Sequence, residues 1–173
     1  MIAAVVLAAG EASRFGSPKQ RLLLPEVLRR VRASSVDDVV VVLGAYEVET
    51  DARVVQCPDW RLGQGASLRC GLAALPQEAE AAVVVLADGP DLDPRAIDRV
   101  VGSWRGEPVV AASYGGVRLH PVLLARDVWA RIPDEGARSL DAVEIPCDDL
   151  APPGDVDFAD ELPERLKLLD DES

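Results

Sequence analysis

The stretch VVLAAGEASRFGSPKQ, residues 5–20, joins a short apolar run to a loop of small and polar residues. The apolar run does not alternate with polar side chains, which is typical of a strand covered on both faces of a sheet. Gly10 ends the run and can adopt backbone angles closed to other residues, and Arg14 and Lys19 add two positive charges. Such a loop at the carboxyl end of a strand predicts a polyphosphate site.

Two familiar phosphate-binding motifs do not account for this loop. A P-loop requires GxxxxGK[ST], whereas five residues separate Gly10 from Gly16 and Ser-Pro-Lys follows. The dinucleotide fingerprint GxGxxG is absent as well. A plain surface loop that carries two cations remains the alternative interpretation.

The rest of the chain alternates apolar runs with helical patterns. Strands are predicted at 2–9, 37–45, 52–57, 81–88 and 107–113, and helices at 25–34, 66–75 and 94–104. Asp93 is the expected N-cap of the third helix. A Gly-Gly turn within 113–124 predicts a hairpin beside the parallel strands. We therefore predict one Rossmann-like three-layer α/β/α domain over 1–173, with a mostly parallel sheet and an acidic, frayed tail near 169–173.

Charge and cysteine content exclude several classes of function. With 30 acidic and 18 basic residues the net charge is −12, which argues against binding to nucleic acid or to an anionic membrane. No apolar run approaches the roughly 20 residues that cross a bilayer. Cys57, Cys70 and Cys147 form no CxxC pair, and an odd count predicts reduced thiols in the cytoplasm. The single histidine, His120, argues against a zinc site.

The loop LAAGEASRFGSPKQ resembles the signature L-A-[AG]-G-x-x-x-R-[FM]-G-x-x-K of nucleotidyltransferases. The nearest branch is that of the molybdenum cofactor cytidylyltransferases and guanylyltransferases, the MobA-like NTP transferases, and the similarity extends over most of the chain. The resemblance implies transfer of a nucleoside monophosphate from an NTP to a phosphorylated acceptor, with release of pyrophosphate. Members that use CTP tend to read L-A-A-G, as this sequence does, which favours CTP over GTP.

The resemblance also implies the residues that contact the nucleotide. Leu7, Ala8 and Ala9 would line the base and ribose, and Gly10 with the two cations would hold the triphosphate. The element GQGASLRCGL at 63–72 resembles the family's G-M-x-x-S-L-R-x-G-L, and Cys57 stands where relatives commonly carry Asn or Asp. The implied nucleotide contacts are Leu7, Ala8, Ala9, Gly10, Arg14, Lys19, Cys57 and Ser67.

Carboxylates follow two further motifs. Asp88 ends the run VVVLAD and resembles the aspartate of the family motif L-A-D-x-P, which holds Mg²⁺ on the triphosphate. The segment DVDFADEL at 155–162 resembles D-x-D-T-P-E-D-L, so Asp155 and Asp157 would supply the second metal contact. The alternatives are a turn aspartate before Gly89-Pro90 and a solvated acidic run.

Two short motifs are expected on the acceptor side. RLHPVLL resembles the family's G-H-P-[VL] segment and DEGARSL its G-x-x-G-A-R-x-L segment, so His120 and Arg138 would contact the acceptor. A structural role for a lone histidine beside proline is the alternative. The sequence departs from the family in a shortened stretch after Gln20 and in Gly89, which replaces a common Gln.

These observations predict a Mg²⁺-dependent nucleotidyltransferase in which Arg14, Lys19 and Asp88 are catalytic. CTP and a pterin phosphate such as the molybdopterin cofactor are the expected substrates, with a molybdoenzyme or delivery partner as recipient. A guanylyltransferase and a sugar- or lactate-phosphate nucleotidyltransferase remain open. A nucleotide-binding module that delivers a cofactor without turnover also remains open.

Overall fold

The computed structural model describes residues 1–10, 20–156 and 159–170. Within them the strands are β1 (Ile2–Ala8), β2 (Asp38–Leu43), β3 (Arg53–Gln56), β4 (Ala81–Leu86), β5 (Val109–Tyr114), β6 (Val117–Ala125) and β7 (Val143–Pro146). The α-helices are α1 (Gln20–Arg32), α2 (Gln64–Ala73), α3 (Pro94–Ser103) and α4 (Glu164–Asp170). In the part of the chain so described, no helix has the length and apolar character needed to cross a membrane.

The strands form one sheet in the order β3-β2-β1-β4-β6-β5-β7. Every pairing is parallel except those of β6, which runs antiparallel to both β4 and β5. The predicted fold class, a mostly parallel Rossmann-like sheet with an added hairpin, is confirmed. Because β1 and β4 are parallel neighbours, their carboxyl ends lie side by side, and the Ala87 N–H donates to the Leu7 carbonyl at 3.0 Å.

Side chains of the central strands alternate between two apolar layers. Val6 of β1 packs in the layer that includes buried residues of α1 and α3, whereas Val5 packs in the layer that includes buried residues of α2. Both valines are fully buried. Continuous apolar strands thus reflect helices on both faces, as the sequence predicted.

Helix α1 differs from its prediction because it begins at Gln20 rather than at residue 25, so that Pro25 lies inside it. The buried side chains of this helix start at Leu23 and Leu24 and recur through Val27 and Val31. That spacing places one apolar stripe against the core and offsets the hydrogen bond that the proline ring removes. The predicted N-cap is confirmed, since the Asp93 carboxylate accepts from the Arg95 N–H.

The C-terminal segment forms helix α4, and the frayed tail predicted near 169–173 stays a prediction. Helix α4 continues through Asp170, and residues 171–173 lie outside the described ranges. Leu162 and Leu166 pack with the fully buried Leu23 of α1, so burial of apolar surface orders this segment despite its acidic composition.

An ion-pair cluster ties α1 and α4 to the turn after β4. Glu26 accepts hydrogen bonds from Arg29 and Arg30, at 2.9 Å and 2.8 Å for the shortest, and lies 3.6 Å from Arg165. Arg165 also donates to the Pro90 carbonyl at 3.1 Å and to Asp91 at 2.8 Å. The Arg29 hydrogen bond, and then that of Arg30, lowers the pKa of Glu26 to about 2 against the opposing effect of burial. The cluster therefore holds the turn in which Asp88 lies.

Glu26→Gln is expected to lower the free energy of unfolding by roughly 2 kcal/mol at pH 6, since charged hydrogen bonds are lost. The folded pKa lies below the ordinary value of 4.5, so this stabilisation is complete above about pH 4.5 and disappears as pH falls through about 2. Urea unfolding of both proteins at pH 6 and near pH 3 checks this. Glu78→Gln, at an exposed carboxylate, is the control. An equal difference at both pH values would contradict the prediction.

Candidate nucleotide-binding site

A cavity of about 500 Å³ opens where β1 and β4 end. Its walls come from the end of β1, the 3₁₀ turn at Trp60–Leu62, the start of α2 and the end of β4. The lining residues are Leu7, Ala9, Gly10, Trp60, Arg61, Gly63, Gln64, Ser67, Leu86 and Asp88. Its size and its position at the carboxyl edge of the sheet are those of a small-ligand site in an open α/β fold.

The end of β1 contributes in part as the sequence implied. Leu7, Ala9 and Gly10 line the cavity, and a side chain at Gly10 would meet no atom within 4 Å. Ala8 instead packs in the opposite apolar layer, because alternate residues of a strand point to opposite faces. Ala8 is therefore absent from the cavity lining. Arg14 and Lys19 lie outside the described residues.

The start of α2 is held tightly against the loop at Pro133 and Asp134. The Gly65 N–H donates to the Asp134 carbonyl at 2.9 Å, and a Cβ on Gly65 would overlap the Pro133 carbonyl oxygen. Gly63 has a φ of 126°, which L side chains rarely adopt. The two glycines thereby let the helix begin at the cavity wall, with the buried Ser67 in its first turn.

Gly65→Ala is expected to lower the free energy of unfolding by about 2 kcal/mol, because the new methyl group must push two backbone segments apart. Gly102→Ala is the matched control, since it lies in α3 and a Cβ there would meet nothing within 4 Å. That control should raise stability by about 0.5 to 1 kcal/mol through helix propensity. Urea unfolding measures the stability of both variants. Similar changes in the free energy of unfolding would contradict the close approach of Gly65 to Pro133.

Asp88 lies at the end of β4 and lines the cavity, as its motif implied. Its backbone carbonyl accepts from the Val156 N–H at 3.0 Å, and the Asp91 N–H donates to the Pro153 carbonyl at 3.0 Å. A Cβ on Gly89 would come within 3.1 Å of Pro153. The departure to glycine at position 89 thus has a packing reason, because it admits the chain at 153–156 against the turn.

The contact between Asp88 and Val156 brings a second acidic segment to the same edge. Asp155 is exposed and directly precedes Val156, whereas Asp157 lies outside the described residues. Within the described ranges, no group of three His, Cys, Asp or Glu side chains is arranged to hold a metal by itself. One or two carboxylates beside a ligand-sized cavity suit Mg²⁺, which completes its shell with phosphate oxygens and water.

The expectation of reduced cysteines is wrong for two of the three. Cys57 and Cys70 form a disulfide between the loop after β3 and helix α2, and Cys147 is free and buried. Cys57 is 1% exposed and is absent from the cavity lining, and its implied contact with the nucleotide stays a prediction. The pairing is tertiary: β3 ends beside α2, which brings together residues 13 positions apart.

The two residues expected on the acceptor side are placed apart from this cavity. His120 lines a second cavity, and burial, aided by Arg118, lowers its pKa to about 4. Arg138 is exposed and lines neither cavity. The turn that contains Arg138 is contacted by a different cation, Arg118. The Arg118 guanidinium donates to the Ala137 carbonyl at 2.9 Å and also to the Leu140 carbonyl.

Sequence reasoning missed five lining residues, which are Trp60, Arg61, Gly63, Gln64 and Leu86. The Arg61 guanidinium lies 5.0 Å from the centre of the Trp60 ring, so a cation and an aromatic face stand together at the cavity wall. A signal for two of them was present in DWRLGQG, residues 59–65, where Trp60 and Arg61 precede the glycine-rich start of α2.

The chain matches the family described as the MobA-like NTP transferase domain over residues 4–143. It belongs to that family. The match includes most of β1, Asp88 and all lining residues of the cavity, so the family resemblance is confirmed for the domain.

Individual relatives share modest identity with this MobA-like domain. The bifunctional protein GlmU of Sorangium cellulosum is 29% identical over 123 aligned residues, covering 59% of this chain and 26% of that protein. The chain thus spans about a quarter of that relative's length. A homologue of Mycobacterium tuberculosis Rv0371c from Mycobacterium sp. strain JC1 is 25% identical, covering 99% of this chain and 98% of that one, with a TM-score of 0.79.

A structure of Rv0371c from Mycobacterium tuberculosis in complex with manganese shares the fold. It is 24% identical, covers 96% of this chain and 98% of its own, and has a TM-score of 0.77. At 24% identity, this similarity shows a shared fold and nothing more.

Proposed function

We propose that this MobA-like domain is a Mg²⁺-dependent nucleotidyltransferase that transfers CMP from CTP to a phosphorylated acceptor such as the molybdopterin cofactor. The observation that carries the proposal is the cavity at the ends of β1 and β4, with Asp88 on one side and the start of α2 on the other. A molybdoenzyme or a delivery partner would receive the product.

The chemistry needs positioning more than proton transfer. An oxygen of the acceptor phosphate forms a bond to the α-phosphorus of CTP, and the bond from that phosphorus to the pyrophosphate oxygen breaks. A phosphate oxygen is already a nucleophile at neutral pH, so no general base is required. The residues of the cavity serve to align the two phosphates and to stabilise the charge on the departing pyrophosphate.

Cations would balance the negative charge on the departing pyrophosphate. Arg14 and Lys19 are proposed for this role from their places in the family motif. Arg61 is a third candidate, because it is exposed at the cavity wall beside Trp60. The buried start of α2 adds backbone N–H groups, although Ser67 already directs its own N–H to the Gly63 carbonyl at 3.5 Å.

Asp88 would hold Mg²⁺, with Asp155 and Asp157 as the proposed second contact. When bound, the ion would neutralise phosphate charge and orient the triphosphate. The donor chemistry fits, since a carboxylate lines the cavity and a second lies on the segment hydrogen-bonded to the Asp88 carbonyl.

The test is pyrophosphate release with CTP, GTP, ATP and UTP, each with Mg²⁺ and with molybdopterin as acceptor. We expect release with CTP to exceed release with GTP by tenfold or more, in line with the L-A-A-G sequence. Release from another nucleotide would overturn the assignment of CTP and keep the reaction. Nucleotide binding in calorimetry without turnover on any acceptor would overturn the enzyme and favour a delivery module.

A further inference from the structure

The Cys57–Cys70 disulfide closes a ring of chain around one wall of the nucleotide cavity. The 3₁₀ turn Trp60–Leu62 and the start of α2 lie inside this ring. Both contribute residues to the cavity lining. A change at the two sulfurs therefore acts directly on the wall that a nucleotide would contact.

The two ends of the ring are anchored independently of the disulfide. The Cys57 N–H donates to the Leu43 carbonyl at 2.8 Å, which ties the first end to β2. On α2, Arg69 donates to the Ile132 carbonyl at 2.7 Å and to the Asp134 carboxylate at 2.8 Å. Cleavage of the disulfide would thus leave the two sulfurs close enough to pair again.

The turn between these anchors is held more weakly. Its side chains are exposed or half-buried, and Leu62 is 66% exposed. The Leu62 N–H donates to the Asp59 carbonyl at 3.0 Å, and the Gly63 N–H donates to the Trp60 carbonyl at 3.3 Å. Both hydrogen bonds join residues only three positions apart. Segments with few buried contacts open at low cost in free energy, so the crosslink limits how far this turn can move.

The two sulfurs differ in their access to a reductant. Cys57 is 1% exposed, whereas Cys70 is half-buried on α2. Exchange begins when a thiolate attacks one sulfur of a disulfide, so the more accessible sulfur, that of Cys70, is the expected target. Reduction leaves a thiol on Cys57, whose Sγ lies 3.6 Å from the Ala66 carbonyl oxygen. That oxygen can accept the new S–H, so the reduced state has a partner for its buried thiol.

We propose that this disulfide is a reversible redox switch that sets the affinity of the cavity for its nucleotide, an inference that rests on the proposed function. A thiolate of a dithiol reductant attacks Cys70 Sγ, the S–S bond breaks, and Cys57 leaves as a thiolate that takes up a proton. The second thiol of the reductant then attacks the mixed disulfide and releases Cys70 as a thiol. The reductant becomes a disulfide, and two electrons and two protons reach the two cysteines. A disulfide oxidant reverses both steps.

Redox state and nucleotide binding must influence each other equally. We expect reduction to weaken CTP binding about fivefold, the lower end of the usual coupling between two sites, because the freed turn has to be ordered again on binding. By linkage, saturating CTP must then favour the oxidised state by the same factor. For a two-electron couple, a change of about fivefold corresponds to a midpoint potential about 20 mV more negative.

Redox titration of the wild type, with and without saturating CTP and Mg²⁺, tests the switch. The protein is equilibrated in mixtures of reduced and oxidised dithiothreitol, free thiols are alkylated, and the disulfide fraction is read by mass spectrometry. Cys147→Ala is the matched control, because it removes the buried free thiol and keeps the disulfide, so its midpoint should shift equally. A midpoint that does not move with CTP would overturn the switch.

The attacked sulfur is tested with single variants in the Cys147→Ala background. We expect Cys70 in Cys57→Ser to react with N-ethylmaleimide about tenfold faster than Cys57 in Cys70→Ser, and equal rates would overturn the assignment of Cys70.

CTP calorimetry of the oxidised and the reduced wild type separates the switch from the proposed function. Weaker CTP binding in the reduced protein supports the switch. Equal affinity in both states would remove the switch and leave the proposed transfer standing. CTP binding in neither state would overturn the proposed nucleotide and the switch together.

Discussion

Asp88→Asn is expected to slow nucleotidyl transfer by about 100- to 1000-fold, the usual loss when one group that stabilises a transition-state charge is removed. The amide keeps the shape of the side chain at the cavity wall but carries no charge for a cation. Stability should change little, because Asp88 is only partly buried and its backbone contact to Val156 is kept. Steady-state pyrophosphate release with Mg²⁺ and CTP measures the effect.

The control for Asp88 is Glu135→Gln. Glu135 is exposed and does not line the cavity, so the same loss of charge near the site should leave the rate within about twofold. A fall in kcat for Asp88→Asn with kcat unchanged in the control supports a role in the reaction. Equal activity of wild type and Asp88→Asn would refute the assignment of the aspartate.

Reduction of the Cys57–Cys70 disulfide is expected to lower the free energy of unfolding by about 3 kcal/mol, as for other crosslinks that close loops of similar length. It should also weaken nucleotide binding. Five lining residues of the nucleotide cavity lie inside the closed ring: Trp60, Arg61, Gly63, Gln64 and Ser67. Without the crosslink, the exposed turn before α2 has more conformations to lose when a ligand binds.

Urea unfolding and CTP calorimetry, each with and without dithiothreitol, test this prediction. The double variant Cys57→Ser, Cys70→Ser is the control. Its stability and CTP affinity should equal those of the reduced wild type and should not change with dithiothreitol. If dithiothreitol changes neither stability nor CTP affinity in the wild type, the crosslink has no role in either. If dithiothreitol changes the stability or CTP affinity of the wild type and of the double variant equally, the effect does not come from this disulfide.

The sequence predicted the residues at the carboxyl edge of the sheet, where the candidate site lies, more fully than the residues that wall the cavity. Apolar runs that continue without alternation identified five of the strands, and parallel strands place their carboxyl ends together. Asp88 and the end of β1 were therefore expected at one edge before any contact was known. Strand β7 was missed, because its four residues, VEIP, are too short for a period and are largely exposed.

The helices show how burial, rather than propensity, fixed their limits. Pro25 suggested a helix start, yet α1 begins at Gln20 because Leu23 and Leu24 are buried against the core. Near the acidic end of the chain, Leu162 and Leu166 of the last segment pack against the same Leu23. At the start of α1 a local signal was thus overridden by apolar area that only the folded chain could bury.

By itself the sequence determined the α/β alternation, the family motif after β1 and the aspartate after β4, because each depends on residues adjacent in the chain. The tertiary structure decided the pairing of Cys57 with Cys70 and the overlap of Gly65 with Pro133. Each of these joins segments that are separate in sequence, and no local pattern encodes which of them will meet. Their positions follow from how the sheet orders its strands and from how closely the loops must pack to bury the core.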